Sequence, residues 1–304
     1  MDLLSHMATF VSIVDGKSLS AAARAQGLSL PAVSRQLRAL EAELGGTLVV
    51  RSTRSLSVTE AGRAFYVQAL RVLREVDVAR SVMADAEKVS GRLVVSTSLT
   101  FGQLQIVPKL AVFNERHPHL QLHLRLEDRV VDLVGEGVDI AVRAGAEPPN
   151  STAYVAQRLV EMRRLLVAAP AYLRKQGAVR EPEQLLTRAC LVQVTLSGTT
   201  IPWRLERLGR AQGGRLPETH VPESRVVEVR GALHSNAPLA LRDLAVSGAG
   251  IAYLPDFVVQ PELDAGALKR VLPAWGSPAV HAAAVYRAEL RGSARVRAFL
   301  DMFS

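Results

Sequence analysis

Arg35 and Arg38 stand three residues apart in Ser29-Leu-Pro-Ala-Val-Ser-Arg-Gln-Leu-Arg38, and Arg51 and Arg54 repeat that spacing in Arg51-Ser-Thr-Arg54. A guanidinium group bonds in bidentate fashion to guanine edges or to phosphate oxygens, so these residues suit a nucleic-acid surface. At 100° per residue, Val33, Leu37, Leu40 and Leu44 form one narrow helical stripe. Pro31, Arg35 and Arg38 point the opposite way, with Ser34 beside them. Ser29 caps the start of this helix, and Pro31 falls in its first turn, where proline is tolerated. The candidate DNA contacts are therefore Ser29, Pro31, Ser34, Arg35 and Arg38 on the helix, and Arg51, Thr53 and Arg54 on the basic turn. The competing reading of the helix is an ordinary solvated charged face.

A second set of residues suits a small anion. Ser96-Thr-Ser-Leu-Thr-Phe-Gly102 leaves the C-terminal end of an expected strand and opens a helix, the place where ligands gather in open α/β sheets. Backbone N–H groups and the positive dipole end there favour a carboxylate, with Ser98 and Thr100 hydroxyls as added donors. Ser235-Asn236 precedes another helix, Ala237 to Ser247, and the two termini are expected to face each other across a cleft. Thr195 is a candidate from the second side, and Phe101 and Trp203 are candidate apolar walls. The alternative is that these hydroxyls are plain helix caps.

Other chemistries find little support. No Gly-rich phosphate loop, Gly-x-Ser-x-Gly or His-Glu-x-x-His occurs, which argues against an α/β enzyme. His117, His119 and His123 are interrupted by Pro118 and straddle a helix end and a strand, so no metal and no cofactor is expected. The single Cys190 excludes an intrachain disulfide and reads as buried filler in a reducing compartment. Met1-Asp-Leu-Leu-Ser-His6 lacks the features of a secretory signal, and no apolar run is long enough for a bilayer. A cytoplasmic protein without membrane contact is expected, which also disfavours an exported solute-binding protein.

The elements that must position these residues follow from periodicity. Leu3 to Asp15, Ser20 to Gln26 and the helix after Ser29, ending at Gly45-Gly46, read as helix, tight turn, helix. Thr47 to Val50 and Leu56 to Val58 read as a two-stranded wing around the basic turn. From Thr59 to about Lys88, Phe65, Ala69, Val72, Val76, Ala79, Met83 and Ala86 alternate by four and three, as in a coiled-coil seam. Such a rod of about 43 Å needs a partner for its apolar edge, and self-pairing is expected. Past Ser90-Gly91 short strands alternate with helices. Leu93–Ser96, Leu120–Leu126 and Val138–Val142 are strands, with helices over Gln103–Arg116 and Val130–Gly135, which implies a mainly parallel sheet. A second series has strands at Leu165–Ala168, Cys190–Val194, Arg225–Val229 and Ile251–Leu254, with helices at Ala171–Gln176 and Ala237–Ser247. Leu268–Leu272, Ala279–Tyr286 and Ser293–Phe303 are expected to return to the first sheet.

Charge supports this division only locally. The net charge of the 304 residues is +8, but residues 1–89 hold 11 Lys/Arg against 9 Asp/Glu. Within residues 16–54 six basic residues face two acidic ones, and that patch is the informative part.

The run Leu19-Ser-Ala-Ala-Ala-Arg, Leu28-Ser, Ala32-Val-Ser-Arg-Gln-Leu, Leu40-Glu, Leu44-Gly, Arg51, Arg54 and Thr59-Glu-Ala-Gly62 resembles the LysR-type transcriptional regulators. The likeness continues through Phe113-Asn-Glu-Arg-His-Pro118, Gly137-Val-Asp-Ile-Ala-Val-Arg143-Ala-Gly145, Ala169-Pro-Ala-Tyr-Leu173 and Ser247-Gly-Ala-Gly-Ile251. The resemblance implies a winged helix-turn-helix, a dimerising linker helix and a two-lobed α/β effector domain similar to periplasmic binding proteins. It also implies effector contacts around Ser98, Leu99, Thr100 and Phe101, and a homodimer or homotetramer. Leu30 stands where many members carry a DNA-contacting Gln, and Leu48-Val-Val-Arg51 replaces the commoner Leu-Phe-x-Arg. The expected architecture is α/β, with residues 1–59 as DNA-binding domain, 60–89 as linker helix and 90–304 as effector domain. Lobe I is expected over about 90–162 and 268–304, and lobe II over 163–267. The expected function is a non-enzymatic regulator that binds operator DNA and a small organic anion, with RNA polymerase as a further partner if it activates.

Overall fold

The computed structural model describes residues 2–51, 56–83, 89–145, 152–207 and 223–303. Three helices, α1 (Leu3–Gly16), α2 (Leu19–Gln26) and α3 (Leu30–Leu44), bury Met7, Phe10, Val11, Ile13, Ala22, Val33, Leu37 and Leu40 against one another. The Ser18 side chain accepts from the Ser20 and Ala21 amides to start α2. Gly27 ends that helix at φ +63°, a left-handed conformation in which a side chain would be strained. The buried Thr9 hydroxyl meets Gln26 Oε1 at 2.8 Å and Gln36 Oε1 at 2.5 Å, tying the three helices together. Strands β1 (Val49–Arg51) and β2 (Leu56–Val58) pair antiparallel, Val49 opposite Val58, and form the expected wing. Glu41 fastens this hairpin to α3, its carboxylate accepting from the Leu48 and Val49 amides at 2.8 and 3.1 Å.

Helix α4 (Glu60–Met83) begins where Thr59 Oγ1 accepts the Gly62 amide at 2.9 Å. The expected seam divides in two. Phe65 packs on Phe10 with ring centroids 5.7 Å apart, and Ala69 is fully buried, so both belong to the core of the N-terminal domain. Farther on, Val72 and Ala79 are exposed and Val76 is half-buried. A heptad pattern alone does not distinguish a neighbour in the same chain from one in a partner. Ala86 and Lys88 lie outside the described residues.

The rest of the chain forms two α/β lobes. In the first, β3 (Gly91–Thr97) leads into α5 (Leu99–Phe101), which continues through a π-turn at Gly102–Ile106 and a 3-10 turn at Val107–Lys109 into α6 (Leu110–Arg116). The single helix expected over Gln103–Arg116 is thus interrupted, at Pro108, which has no amide to donate. A Cβ at Gly102 would come within 2.2 Å of Leu126 and 2.7 Å of Thr97, so only glycine allows this helix to lie so close to the sheet. Strands β4 (Leu120–Leu126), β5 (Ile140–Ala144) and β6 (Tyr154–Met162) follow. The helix expected over Val130–Gly135 is absent and turns replace it. Asp132 Oδ1 accepts the Val134 amide and Glu136 accepts the Asp132 amide, side-chain bonds that compete with a helical ladder.

The chain then crosses at Arg163 into β7 (Arg164–Ala168), α7 (Pro170–Gln176), β8 (Cys190–Gln193), β9 (Trp203–Arg207), β10 (Ser224–Val227), β11 (Leu233–Ser235), α8 (Pro238–Val246), β12 (Ile251–Pro255) and α9 (Asp256–Asp264). Next come β13 (Lys269–Arg270) and β14 (Trp275–Gly276), and then β15 (Val280–Arg287) and α10 (Ala294–Leu300) back in the first lobe. The sheet orders are β4-β3-β5-β15-β6, β11-β8-β12-β7-β13 and β10-β9-β14. Because β13 pairs with β7 and β14 with β9, the segment from Leu268 stays in the second lobe instead of returning at once. Strands β3, β4 and β5 are parallel, as are β8, β11 and β12, while β15 and β7 run against them and pair antiparallel with β6 and β13 on their other sides, which makes both sheets mixed.

Candidate nucleic-acid interface and ligand cleft

On α3 the buried stripe of Val33, Leu37 and Leu40 fixes which side faces solvent. Pro31, Arg35 and Arg38 are exposed there and Ser34 is half-buried. Ser29 Oγ accepts the Ala32 amide at 3.3 Å and caps the helix, while Arg38 Nε bonds back to the Ser34 carbonyl at 3.3 Å. The face also carries apolar surface at its N-terminal end, where Leu28 and Leu30 are 37% and 48% exposed. Guanidinium forks, a hydroxyl and apolar contacts on one helix face are the groups that read base edges in a major groove. Arg51 lies at the end of β1; Thr53 and Arg54 fall outside the described residues.

The two lobes meet at their strand ends. Ala144 pairs with Ala282 near the start of β15, and Pro255 pairs with Arg164 at the start of β7, so both crossovers sit beside the C-terminal ends of the parallel strands. A crevice at such ends is where α/β sheets take ligands. Ser98 precedes α5 there, half-buried, and makes no capping hydrogen bond. Thr100 is also half-buried, and the buried Thr97 hydroxyl has no partner. Leu99 is 41% exposed, but its amide already donates to Asp128 Oδ1 at 3.0 Å. An acidic side chain thus occupies one of the amides expected to await an anion.

The other candidates separate. Phe101 is 3% exposed and packs on Phe257 and Phe303, so it is core and not an open wall. Trp203 is likewise buried at 1% exposure, tilted on Tyr253 with centroids 5.4 Å apart, because β9 and its neighbours cover that side of the second lobe. Thr195 Oγ1 accepts the Thr199 amide at 3.1 Å and meets Ser197 Oγ at 2.8 Å, which is the bonding of a local turn. Asn236 is exposed and does not cap α8; Ser235 Oγ accepts the Ala237 amide at 3.0 Å instead.

Sequence reasoning missed a charged network beside the crevice. Arg143 Nη2 donates to Ser96 Oγ at 2.8 Å and to the Arg129 carbonyl at 3.0 Å, while Ser96 Oγ donates to Glu127 Oε1. Burial lowers the Arg143 pKa and nearby Glu127 and Asp128 oppose that. Arg129 grips Glu136 through both guanidinium nitrogens, and this bond holds the Glu136 carboxyl down at about 2. In the sequence Arg143 merely follows the apolar strand expected over Val138–Val142, and nothing there shows that its head reaches back to Ser96. Cys190 is buried, as expected, and burial pushes its thiol up to about 12.

Cavities of about 840 and 1080 Å³ lie elsewhere. The first is between α6 and α10, and the second is between the N-terminal domain and the first lobe, near Asp15, Tyr66 and Arg92. Among the described residues no cluster of three or more His, Cys, Asp or Glu could hold a metal ion, and no helix is long and apolar enough to cross a membrane.

A winged helix-turn-helix carried on a long helix and followed by a two-lobed α/β domain defines a DNA-binding regulator with a ligand-sensing module. The model of the bacterial regulatory helix-turn-helix of the lysR family matches residues 4–63, and that of the LysR substrate binding domain matches residues 86–304. The HTH-type transcriptional regulator PtxR of Pseudomonas aeruginosa is 34% identical over 299 residues, 98% of this chain and 91% of that protein. The HTH-type transcriptional activator TtdR of Escherichia coli K12 is 32% identical over 306 residues, 99% of this chain and 93% of that protein. The structure of CrgA, a LysR-type transcriptional regulator from Neisseria meningitidis, aligns at a TM-score of 0.59 with 32% identity, covering 98% of this chain and 97% of that one. The chain belongs to the LysR family: it is a helix-turn-helix transcriptional regulator with an effector-binding domain.

Proposed function

We propose that the protein binds operator DNA through the outer face of α3, with the wing on the backbone, and that a small organic anion held between the lobes alters that binding. The observation that carries the DNA half is the exposure of Pro31, Arg35 and Arg38 directly opposite the buried Val33, Leu37 and Leu40. The anion half rests on the hydroxyls of Ser98 and Thr100 at the strand ends and on Arg143, which reaches the same sheet end through Ser96. The protein acts in the cytoplasm as a homodimer or homotetramer joined through the later part of α4, where Val72 and Ala79 lie open. Where it activates transcription, RNA polymerase is its partner at the promoter. Mobility shifts on DNA upstream of its own gene, with and without a panel of small organic anions, test the reading. Retarded bands whose affinity or footprint changes with one organic anion are expected. No binding to that region, or indifference to every anion tried, would overturn it.

A further inference from the structure

We propose that Arg164, through the free edge of its guanidinium group, is the carboxylate anchor of the crevice between the lobes. This rests on the reading that the effector is an organic anion held there, and it names the group that would recognise it. Arg164 begins β7 and stands opposite Pro255 in register, so it lies at the sheet end where β8, β11 and β12 finish. Its Nη1 is spent twice, on Gln193 Oε1 at 2.6 Å and on the Tyr253 carbonyl at 3.2 Å. Its plane lies near the Tyr253 ring, 5.8 Å from the centroid, which holds the group in one orientation. Among the described residues Nε and Nη2 take no hydrogen bond, and neither is sealed from solvent. Those two nitrogens form the parallel fork that matches the two oxygens of a carboxylate.

Charge balance points the same way. Arg163 has Glu161 at 3.7 Å, and Arg242 has Asp243 and Glu262 at 2.9 and 3.3 Å. Among the described residues no carboxylate forms an ion pair with Arg164, although the group is largely withdrawn from water and burial lowers its pKa. A guanidinium held that way is costly until an anion completes it. Gln193, which bonds Arg164, pairs in register with Ser235, and three residues later α8 begins at Pro238 with no side-chain cap. The second lobe therefore offers a fixed positive fork beside the positive end of a helix, whereas the first lobe offers hydroxyls and the acids Glu127 and Asp128. An anion would be seated by its carboxylate on the second lobe, with its other end towards Ser98 and Thr100.

Sodium acetate, the smallest carboxylate, is the probe, with acetamide as its neutral counterpart and sodium chloride to hold ionic strength. The full-length protein is titrated while arginine Nε–H signals are followed by NMR, the Arg164 signal being the one missing from Arg164→Lys. The expected result is saturable movement of that signal with acetate and none with acetamide. Arg164→Lys, which keeps the charge and loses the fork, should bind acetate about tenfold more weakly. If Arg164→Lys proves unfolded, Arg164→Gln supplies the assignment and the loss-of-binding arm in its place. Acetate that fails to move the Arg164 signal overturns the assignment. If acetate binding survives in Arg164→Lys and is lost in Ser98→Ala with Thr100→Val, the anchor fails and the crevice stands. If acetamide binds as well as acetate, the organic-anion reading itself falls.

Discussion

The Phe101 ring meets Phe257 edge-on, with centroids 5.7 Å apart and planes at 81°. Phe101 belongs to the first lobe and Phe257 to α9 of the second, and Phe257 packs against the buried clusters of both. Leu104, from the π-turn after α5, packs into the second lobe's cluster in return. The lobes are thus pinned along one side, and any opening of the crevice pivots on or breaks this contact. Phe257→Ala is expected to cost about 1–3 kcal/mol, below the range for fully buried Phe because the ring is only half-buried. Urea denaturation measures that loss, and small-angle scattering should show a larger radius of gyration if the pin holds the lobes closed. An unchanged radius together with full destabilisation would make the contact purely a packing one.

Arg35→Ala or Arg38→Ala should weaken operator binding by about 1–3 kcal/mol each if the side chain reads a base edge. Both residues are exposed on α3, so the melting temperature should not follow. Arg54→Ala should instead weaken all sequences alike and flatten the salt dependence, as loss of a phosphate contact does. Footprinting at several salt concentrations separates the two patterns. Wild-type affinity in both α3 variants would remove that face from the interface.

The N-terminal domain was legible because each of its residues answers to a local rule. Ser29 caps α3, Gly45 ends it, and its apolar stripe gives its orientation. The lobes were legible in their strands but not in their margins. The absence of a helix at Val130–Gly135 depends on Glu136 turning back to bond Asp132 and Arg129. Trp203 reads as an available pocket wall, yet β9, which carries it, pairs with the next strand β10 on one side and with the distant β14 on the other, and Trp203 is buried. Arg164 reads as one of many arginines; its importance comes from what surrounds it, which no spacing reveals.

The exposed half of α4 offers a clean test of self-association. Val72 is 38% exposed in the single chain, so Val72→Glu should cost the monomer little. At a helix–helix seam the same carboxylate would be buried without a partner, at a cost large enough to split the assembly. Sedimentation should therefore show a folded but smaller species. A wild-type oligomer in that variant would place the pairing surface elsewhere.

The Arg129–Glu136 pair fixes one limb of the pH dependence. Glu136 titrates at about 2 in the folded chain against an ordinary 4.5, because Arg129 bonds the charged form. A depressed carboxyl pKa adds stability that is complete above about 4.5 and is lost as pH falls towards 2. Arg129→Gln should melt lower than the parent at pH 6, with the difference closing over that acid window. Parallel melting curves from pH 6 to 2 would show that the pair is screened and contributes nothing.

Ser98 and Thr100 can be tested against the simpler role of helix caps, and the structure sharpens that test. A capping serine replaced by alanine costs about 1 kcal/mol, since an amide at the helix start loses its acceptor. Ser98 makes no such bond, and the Leu99 amide goes to Asp128 instead, so Ser98→Ala has no cap to lose and should leave the melting temperature unchanged. Thr100→Val keeps the side-chain shape and removes only the hydroxyl. If these hydroxyls face the effector, both variants should bind the inducing anion more weakly in calorimetry, by about 0.5–1.5 kcal/mol for each hydrogen bond lost. The matching control is Asp128→Asn, which weakens the acceptor on Leu99 and should lower the melting temperature. It should also favour anion binding by removing a like charge at the strand end. Normal affinity in Ser98→Ala and Thr100→Val, together with an earlier melt, would return both residues to a structural role and move the ligand towards the second lobe.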